Sequence, residues 1–233
     1  MLATQVAQSE KKQALLDLLN VYAAGGKAIV FTKTKAAADE VAVVVSQQNA
    51  CEALHGDIAQ AQREKTLSRF RSGDVTVLIA TDVAARGLDI PNVDLVIHFD
   101  YPSDSEAFLH RSGRTGRAGN KGRAIVLHTP GETRALGLIL QQVKLTTGEV
   151  IGAPSPADVM ASASKTVLTK LDRVESSVID FFMPAAERLI ASPQPERVLA
   201  AALAAMSGFR SVEVLLCQGW DTVLWSILLC MCL

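Results

Sequence analysis

A chain of 233 residues, 49% apolar and 20% charged, holds enough apolar mass for one core of about 150 residues and a smaller partner. A formal net charge of −1 excludes a generally basic surface, so any anion-binding region must be local. Cys51, Cys217, Cys230 and Cys232 form no CxxC pair and have no histidine cluster beside them, which argues against a zinc site or disulfide framework and for reduced thiols.

Met1–Lys12 is mixed polar and has neither a secretory nor a transit pattern. Ser9 is placed to cap a helix with apolar positions Leu15, Leu16, Leu18, Leu19 and Tyr22, ended by Gly25-Gly26. Ala28–Phe31 reads as a buried strand, Thr34–Gln48 as a helix and Cys51–Leu54 as a second strand. Ile58–Ser72 is a charged helix stopped by Gly73, and Asp57 is placed to cap it. Strands follow at Val75–Ala80 and Val93–Phe99, a helix at Ser105–Ser112 and a fifth strand at Arg123–His128. A helix over Pro130–Val143 has Thr129 as its cap and Pro130 at its first position.

This alternation predicts an α/β fold, a parallel sheet with helices on both faces. Such sheets gather ligand loops at the carboxyl ends of their strands, here just after Phe31, Leu54, Ala80 and Phe99. Residues 1–145 make up this domain, and 146–163, broken by Gly148, Gly152, Pro154 and Pro156, reads as a linker. A small helical extension over 164–208 follows, with segments at Ser164–Phe182, Pro184–Ala191 and Glu196–Met206. Residues 209–233 close the chain, and their last eleven, Val223–Leu233, are almost wholly apolar but fall short of the ~20 needed to cross a bilayer.

From His110 to Arg123 there are five Lys or Arg side chains and no acid. Cations this dense repel one another unless an anion sits among them. Gly113, Gly116 and Gly119 would let backbone approach that anion closely. A solvated basic stripe is the bland alternative, but this run sits between a helix and a strand of a sheet that already needs a ligand edge.

Four blocks together resemble the second RecA-like domain, the helicase C-terminal half, of DEAD-box RNA helicases. They are Ile29–Thr34, His55-Gly56-Asp57 with Gln60–Arg63, Ala80–Pro91 (ATDVAARGLDIP) and His110–Arg117 (HRSGRTGR). The resemblance implies that Arg114 and Arg117 are arginine fingers on the γ-phosphate of ATP, a task suited to planar guanidinium groups. It implies that His110 holds an inter-domain network and that Asp89 accepts a hydrogen bond from the ATP ribose. Thr32, Gly56, Arg63, Thr81 and Gly87 would contact the backbone of single-stranded or locally duplex RNA, independently of base sequence.

Local roles compete with these: Thr81 and Asp82 as turn caps, His55 as a packed histidine, Arg63 and Arg69 as solvated cations. His110-Arg111 speaks against a DNA-unwinding relative of the same superfamily, which more often carries Gln there. No G-x-x-x-x-G-K-[ST] and no Asp-Glu-Ala-Asp run occurs. ATP with Mg2+ would therefore be held mainly by the first RecA-like domain of a parent protein, and this chain alone is expected to be inactive.

The extension resembles nucleolar RNA helicase II/Gu-type proteins and plant organellar relatives, through Phe181, Phe182, Ala186, Leu189 and Glu196–Ala204. That likeness implies a homodimer through 164–208 and a chloroplast, mitochondrial or nucleolar address, with no membrane partner. Arg210-Ser211 and Gly219–Thr222 resemble the start of an RNA-binding GUCT domain, truncated before the apolar tail. The competing reading of the chain is a non-catalytic RNA-binding or regulatory fragment.

Overall fold

The structure, a computed structural model, describes residues 2–23, 25–85, 93–116, 121–144, 149–150, 154–172, 174–207 and 230–231. Gly87, Asp89, Arg117 and residues 209–229 lie outside them. Two compact units are present, one built on 1–154 with 218–233 and the other on 155–217.

The first unit begins with β1 (Leu2–Gln5), a 3-10 turn at Gln8–Glu10 and helix α1 (Lys11–Leu18), which widens into a π turn over Leu19–Ala23. Next come β2 (Ala28–Thr32), α2 (Lys35–Ser46), β3 (Cys51–Leu54), α3 (Gln60–Ser72) and β4 (Val77–Thr81). A single helical turn, α4 (Asp82–Ala85), precedes β5 (Leu95–His98), α5 (Ser105–Ser112), β6 (Gly122–His128) and α6 (Thr133–Gln142). A short β7 (Glu149–Val150) completes this stretch.

The sheet runs β3-β4-β2-β5-β6-β1-β7, and these pairings are parallel. Cys230–Met231, β8, adds an antiparallel pair with Gly122-Arg123 at the start of β6. The central strands are buried along their whole length, as apolar runs covered on both faces must be. One face packs Ile29, Phe31, Leu78 and Val96 against Phe70, Phe108 and Leu136. The other packs Val30, Ile79, Leu95 and Ile97 against Leu15, Leu18, Val41 and Val45.

The α/β parallel sheet expected from the alternation of periods is therefore present. Helix starts follow local chemistry: the Thr34 side chain accepts from the Ala37 N–H at 3.1 Å, and Asp104 accepts from the Ala107 N–H at 2.7 Å. Glu132 turns back to accept from the Thr129 N–H at 2.7 Å and its hydroxyl at 2.9 Å. Gly73 ends α3 at φ 90°, a left-handed position that disfavours a side chain.

Several expectations are corrected. The N-terminal segment, read as mixed polar without an element of its own, supplies strand β1, registered on Ile125–His128 of β6. Ser9 does not cap α1; the 3-10 turn leads directly into it. Asp57 does not cap α3, because its carboxylate pairs with Lys35 Nζ at 2.5 Å.

In the second unit, α7 (Pro156–Leu171) starts inside the stretch read as linker. Ser155 and Asp158 form a capping box there, and Pro156 opens the helix instead of breaking it. Helix α8 (Ser176–Ile190) likewise carries Pro184 within it, so the break falls at 172–175 and not at 183. Helix α9 (Pro195–Met206) follows. Val159, Ala163 and Val167 of α7 are buried along one stripe, whereas α8 exposes Val178, Ile179, Phe181, Phe182, Met183, Leu189 and Ile190. Among the described residues no helix is long and apolar enough to cross a membrane.

Candidate functional site

The parallel register aligns the carboxyl ends of β3, β4 and β2: Leu54 pairs with Ala80, and Thr32 with Thr81. Their loops carry the residues expected to meet RNA. Gly56 is exposed, with open space where a side chain would begin. Thr81 is buried, 8% exposed. Arg63 is half-buried and donates from Nη2 to the Ala84 carbonyl at 3.2 Å, which joins α3 to the turn after β4. Thr32 corrects its expectation: it is fully buried, and its hydroxyl donates to the Thr34 carbonyl at 3.3 Å. The strand end turns it inward, so its side chain offers no surface to a nucleic acid.

His55 is packed, with Nε2 3.0 Å from Asp39 Oδ1. Lys33 is anchored through its backbone, whose N–H donates to Asp100 Oδ2 at 2.8 Å. Arg69, read from sequence as solvated, pairs with Glu52, which also accepts from the Thr66 hydroxyl.

The arginine block is built on α5. His110 is exposed on the helix, 3.9 Å from Glu106 one turn earlier. Arg111, adjacent in sequence, is buried. Its Nε and Nη2 donate to the two oxygens of Asp82 at 2.6 and 2.7 Å, and Nη1 donates to the Asp100 carbonyl at 2.8 Å. Its guanidinium also lies over the Phe31 ring at 5.4 Å.

Beyond Ser112 the chain makes a tight turn. The Gly113, Arg114 and Thr115 N–H groups donate to the Leu109, Arg111 and Ser112 carbonyls, and the Arg114 carbonyl accepts from Val93. Arg114 is half-exposed on this turn. Gly116 takes φ 68°, and Gly122 packs so closely that a methyl group there would overlap Thr115 Oγ1 and the Gly116 nitrogen.

Gly56, Arg63 and Thr81 thus share the loop edge at the carboxyl ends of β3 and β4, whereas the Arg114 turn lies beside Val93 and Gly122, at the starts of β5 and β6, with His110 one turn earlier on α5. Gly87, Asp89 and Arg117 lie outside the described residues. Among the described residues no group of acidic, histidine and cysteine side chains is arranged to hold a metal ion.

Sequence reading missed the Asp82–Arg111 fork and two buried groups. His98 Nε2 lies 3.1 Å from Ser112 Oγ. Lys11, only 2% exposed, donates to the Phe99 carbonyl at 3.2 Å and sits 3.9 Å from Glu132. A signal for the first existed: Asp82 is an acid inside the third block, facing a fourth block that has none.

A parallel sheet with these loops at its carboxyl edge, and a basic turn that follows α5 and leads back to the start of β6, is the architecture of a RecA-like helicase C-terminal domain. Residues 10–119 match the helicase conserved C-terminal domain, and residues 155–206 match the DDX21/DDX50 dimerisation domain. The chain belongs to the DEAD-box RNA helicase family. It is 47% identical to the DEAD-box ATP-dependent RNA helicase 3B, chloroplastic, of Zea mays, over 95% of this chain and 30% of that protein. Among solved structures it is similar to the E. coli DEAD-box protein SrmB (38% identity, TM-score 0.55, 60% of this chain and 83% of that one). It is also similar to S. cerevisiae Dbp5 bound to RNA and ADP BeF3 (32% identity, TM-score 0.55, 60% of this chain and 38% of that one). The chain therefore spans about a third of the curated relative's length.

Proposed function

We propose that this chain is the C-terminal motor half of an ATP-dependent RNA helicase, supplying an arginine finger and half of the RNA cleft. The observation that carries the reading is the Asp82–Arg111 fork. It ties the loop that follows Thr81, which would be the RNA side, to the helix whose end leads into the Arg114 turn, which would be the nucleotide side. A closure of two RecA-like halves would then present both sides together, with Arg114 stabilising charge on the transferring phosphoryl group. Arg117 and Asp89 would act beside it, on the γ-phosphate and the ribose, and Gly56, Arg63, Thr81 and Gly87 would hold the RNA backbone.

The phosphate cradle and Mg2+ ligands would come from a first RecA-like domain, and this chain alone would not turn over ATP. His110, exposed beside the buried Arg111, would meet that domain. The apolar face of α8 would pair with a second copy, which the match to a dimerisation domain supports. The chloroplastic relative favours an organellar setting. Supplying the first-half domain, ATP and RNA to this chain tests the reading: turnover by the mixture supports it, and inhibition of an intact helicase without turnover favours the regulatory alternative.

A further inference from the structure

We propose that His98 is a positioning residue for the Arg114 turn, acting through Ser112. The proposal rests on the reading of Arg114 as the nucleotide-facing group. His98 is fully buried on β5, where its neighbours are Leu95, Val96 and Ile97. An apolar side chain would be the default at such a position, because a buried imidazole must lose water. Its Nε2 lies 3.1 Å from Ser112 Oγ. Ser112 is itself 1% exposed and is the last residue of α5, directly before the turn that holds Arg114.

The ring is confined between Phe108, 5.5 Å away, and Phe31, 6.2 Å away. Nδ1 has no hydrogen-bond partner among the described residues, which favours the tautomer that carries its proton on Nε2 and donates to Ser112. Burial first, and the Arg111 guanidinium second, hold the imidazole neutral. The strand beneath is pinned on both sides, His98 standing opposite Phe31 of β2 and Val126 of β6.

Two adjacent residues thus anchor the helix end in different directions. Arg111 reaches the loop after β4, and Ser112 reaches the floor of the sheet. With the second anchor gone, the turn would keep its backbone bonds, Arg111 and the Thr115 hydroxyl that donates to the Val93 carbonyl, and the helix end that carries Arg114 would sample more orientations. Losing orientation at a group that acts on the reacting phosphate lowers turnover rather than substrate binding.

Amide hydrogen exchange on the whole chain provides the test. H98L and S112A are each expected to speed exchange at Gly113, Arg114 and Thr115 roughly fivefold, the worth of one hydrogen bond, while Val30 and Ile79 in the sheet stay as they were. H98Q, whose amide nitrogen reaches where Nε2 sits, restores protection; H98N, which reaches only as far as Nδ1, does not. The H98L/S112A double variant matches either single one. In ATP turnover with the first-half domain supplied, H98L lowers kcat severalfold and leaves the KM for RNA unchanged. Wild-type exchange at 113–115 in H98L, or an equal acceleration throughout the sheet, overturns the proposal. A wild-type mixture that fails to turn over ATP overturns the reading of Arg114 instead, and the exchange result still decides His98.

Discussion

Arg111 holds Asp82 through two parallel hydrogen bonds of 2.6 and 2.7 Å, joining the end of α5 to the loop after β4. The two partners are unequally buried: the Arg111 side chain is 2% exposed and Asp82 29%. Removing either one therefore leaves a different orphan. D82A strands a buried cation and is expected to lower the unfolding free energy by about 3 kcal/mol. R111M leaves a carboxylate that water reaches, and fills the space over Phe31 with apolar mass, so it is expected to lose only about 1 kcal/mol. Urea titrations with unchanged m-values check the order; equal losses would mean that the fork is not held as described.

His98 makes stability fall on the acid side. Its folded pKa lies well below the usual histidine value, through burial and then the nearby Arg111 charge. The unfolded chain takes up a proton near pH 6.5 that the folded chain refuses, so stability drops as pH falls below that point. His128, lowered mainly by its own burial, acts in the same direction. H98Q removes the first contribution alone. Its stability curve is expected to be flatter than wild type between pH 6.5 and 5, and parallel curves would contradict this.

Asp17 acts with the opposite sign. Burial raises its carboxyl to about 6, against a smaller lowering by the Gln13 amide that donates to it at 3.0 Å. The folded state binds this proton more tightly than the unfolded state, so stability is lost as pH rises from about 4 to 6. D17N is expected to stabilise the chain at pH 7 by about 1 kcal/mol, discounted for the side chain's partial exposure, and to change little at pH 4. Thermal melts at the two pH values measure the difference.

The α8 face yields a prediction about association. Phe181 is 82% exposed and packs edge-to-face with Phe182 at 5.6 Å. Apolar patches of this kind mark interaction surfaces. F181D/F182D is expected to turn a concentration-dependent dimer into a monomer in sedimentation velocity, with ATP turnover per chain unchanged in the supplied-domain assay. A wild-type chain that stays monomeric at high concentration contradicts the pairing.

The sheet was legible because Ala28–Phe31, Val75–Ala80 and Val93–Phe99 are apolar runs too short for helices. β1 was not, because Leu2–Gln5 is short and of mixed polarity, and pairing with Ile125–His128 supplies the order that its composition lacks. Proline misled twice: Pro156 opens α7 and Pro184 sits inside α8. At the site, the arginine block stood out through charge alone, whereas Thr32 looked like an RNA contact and is turned inward. The Asp82–Arg111 and His98–Ser112 pairs link residues 29 and 14 positions apart, a separation that only the folded sheet closes.

Whether Arg114 serves a nucleotide delivered by another domain is decided by ATP turnover in a mixture of this chain, the first RecA-like domain and RNA. The wild-type mixture is expected to hydrolyse ATP in an RNA-stimulated manner, and R114A to lower that rate by about a thousandfold or more while the RNA affinity of the chain stays unchanged. Turnover in the R114A mixture equal to that of wild type, or robust turnover by this chain without the added domain, would contradict the account.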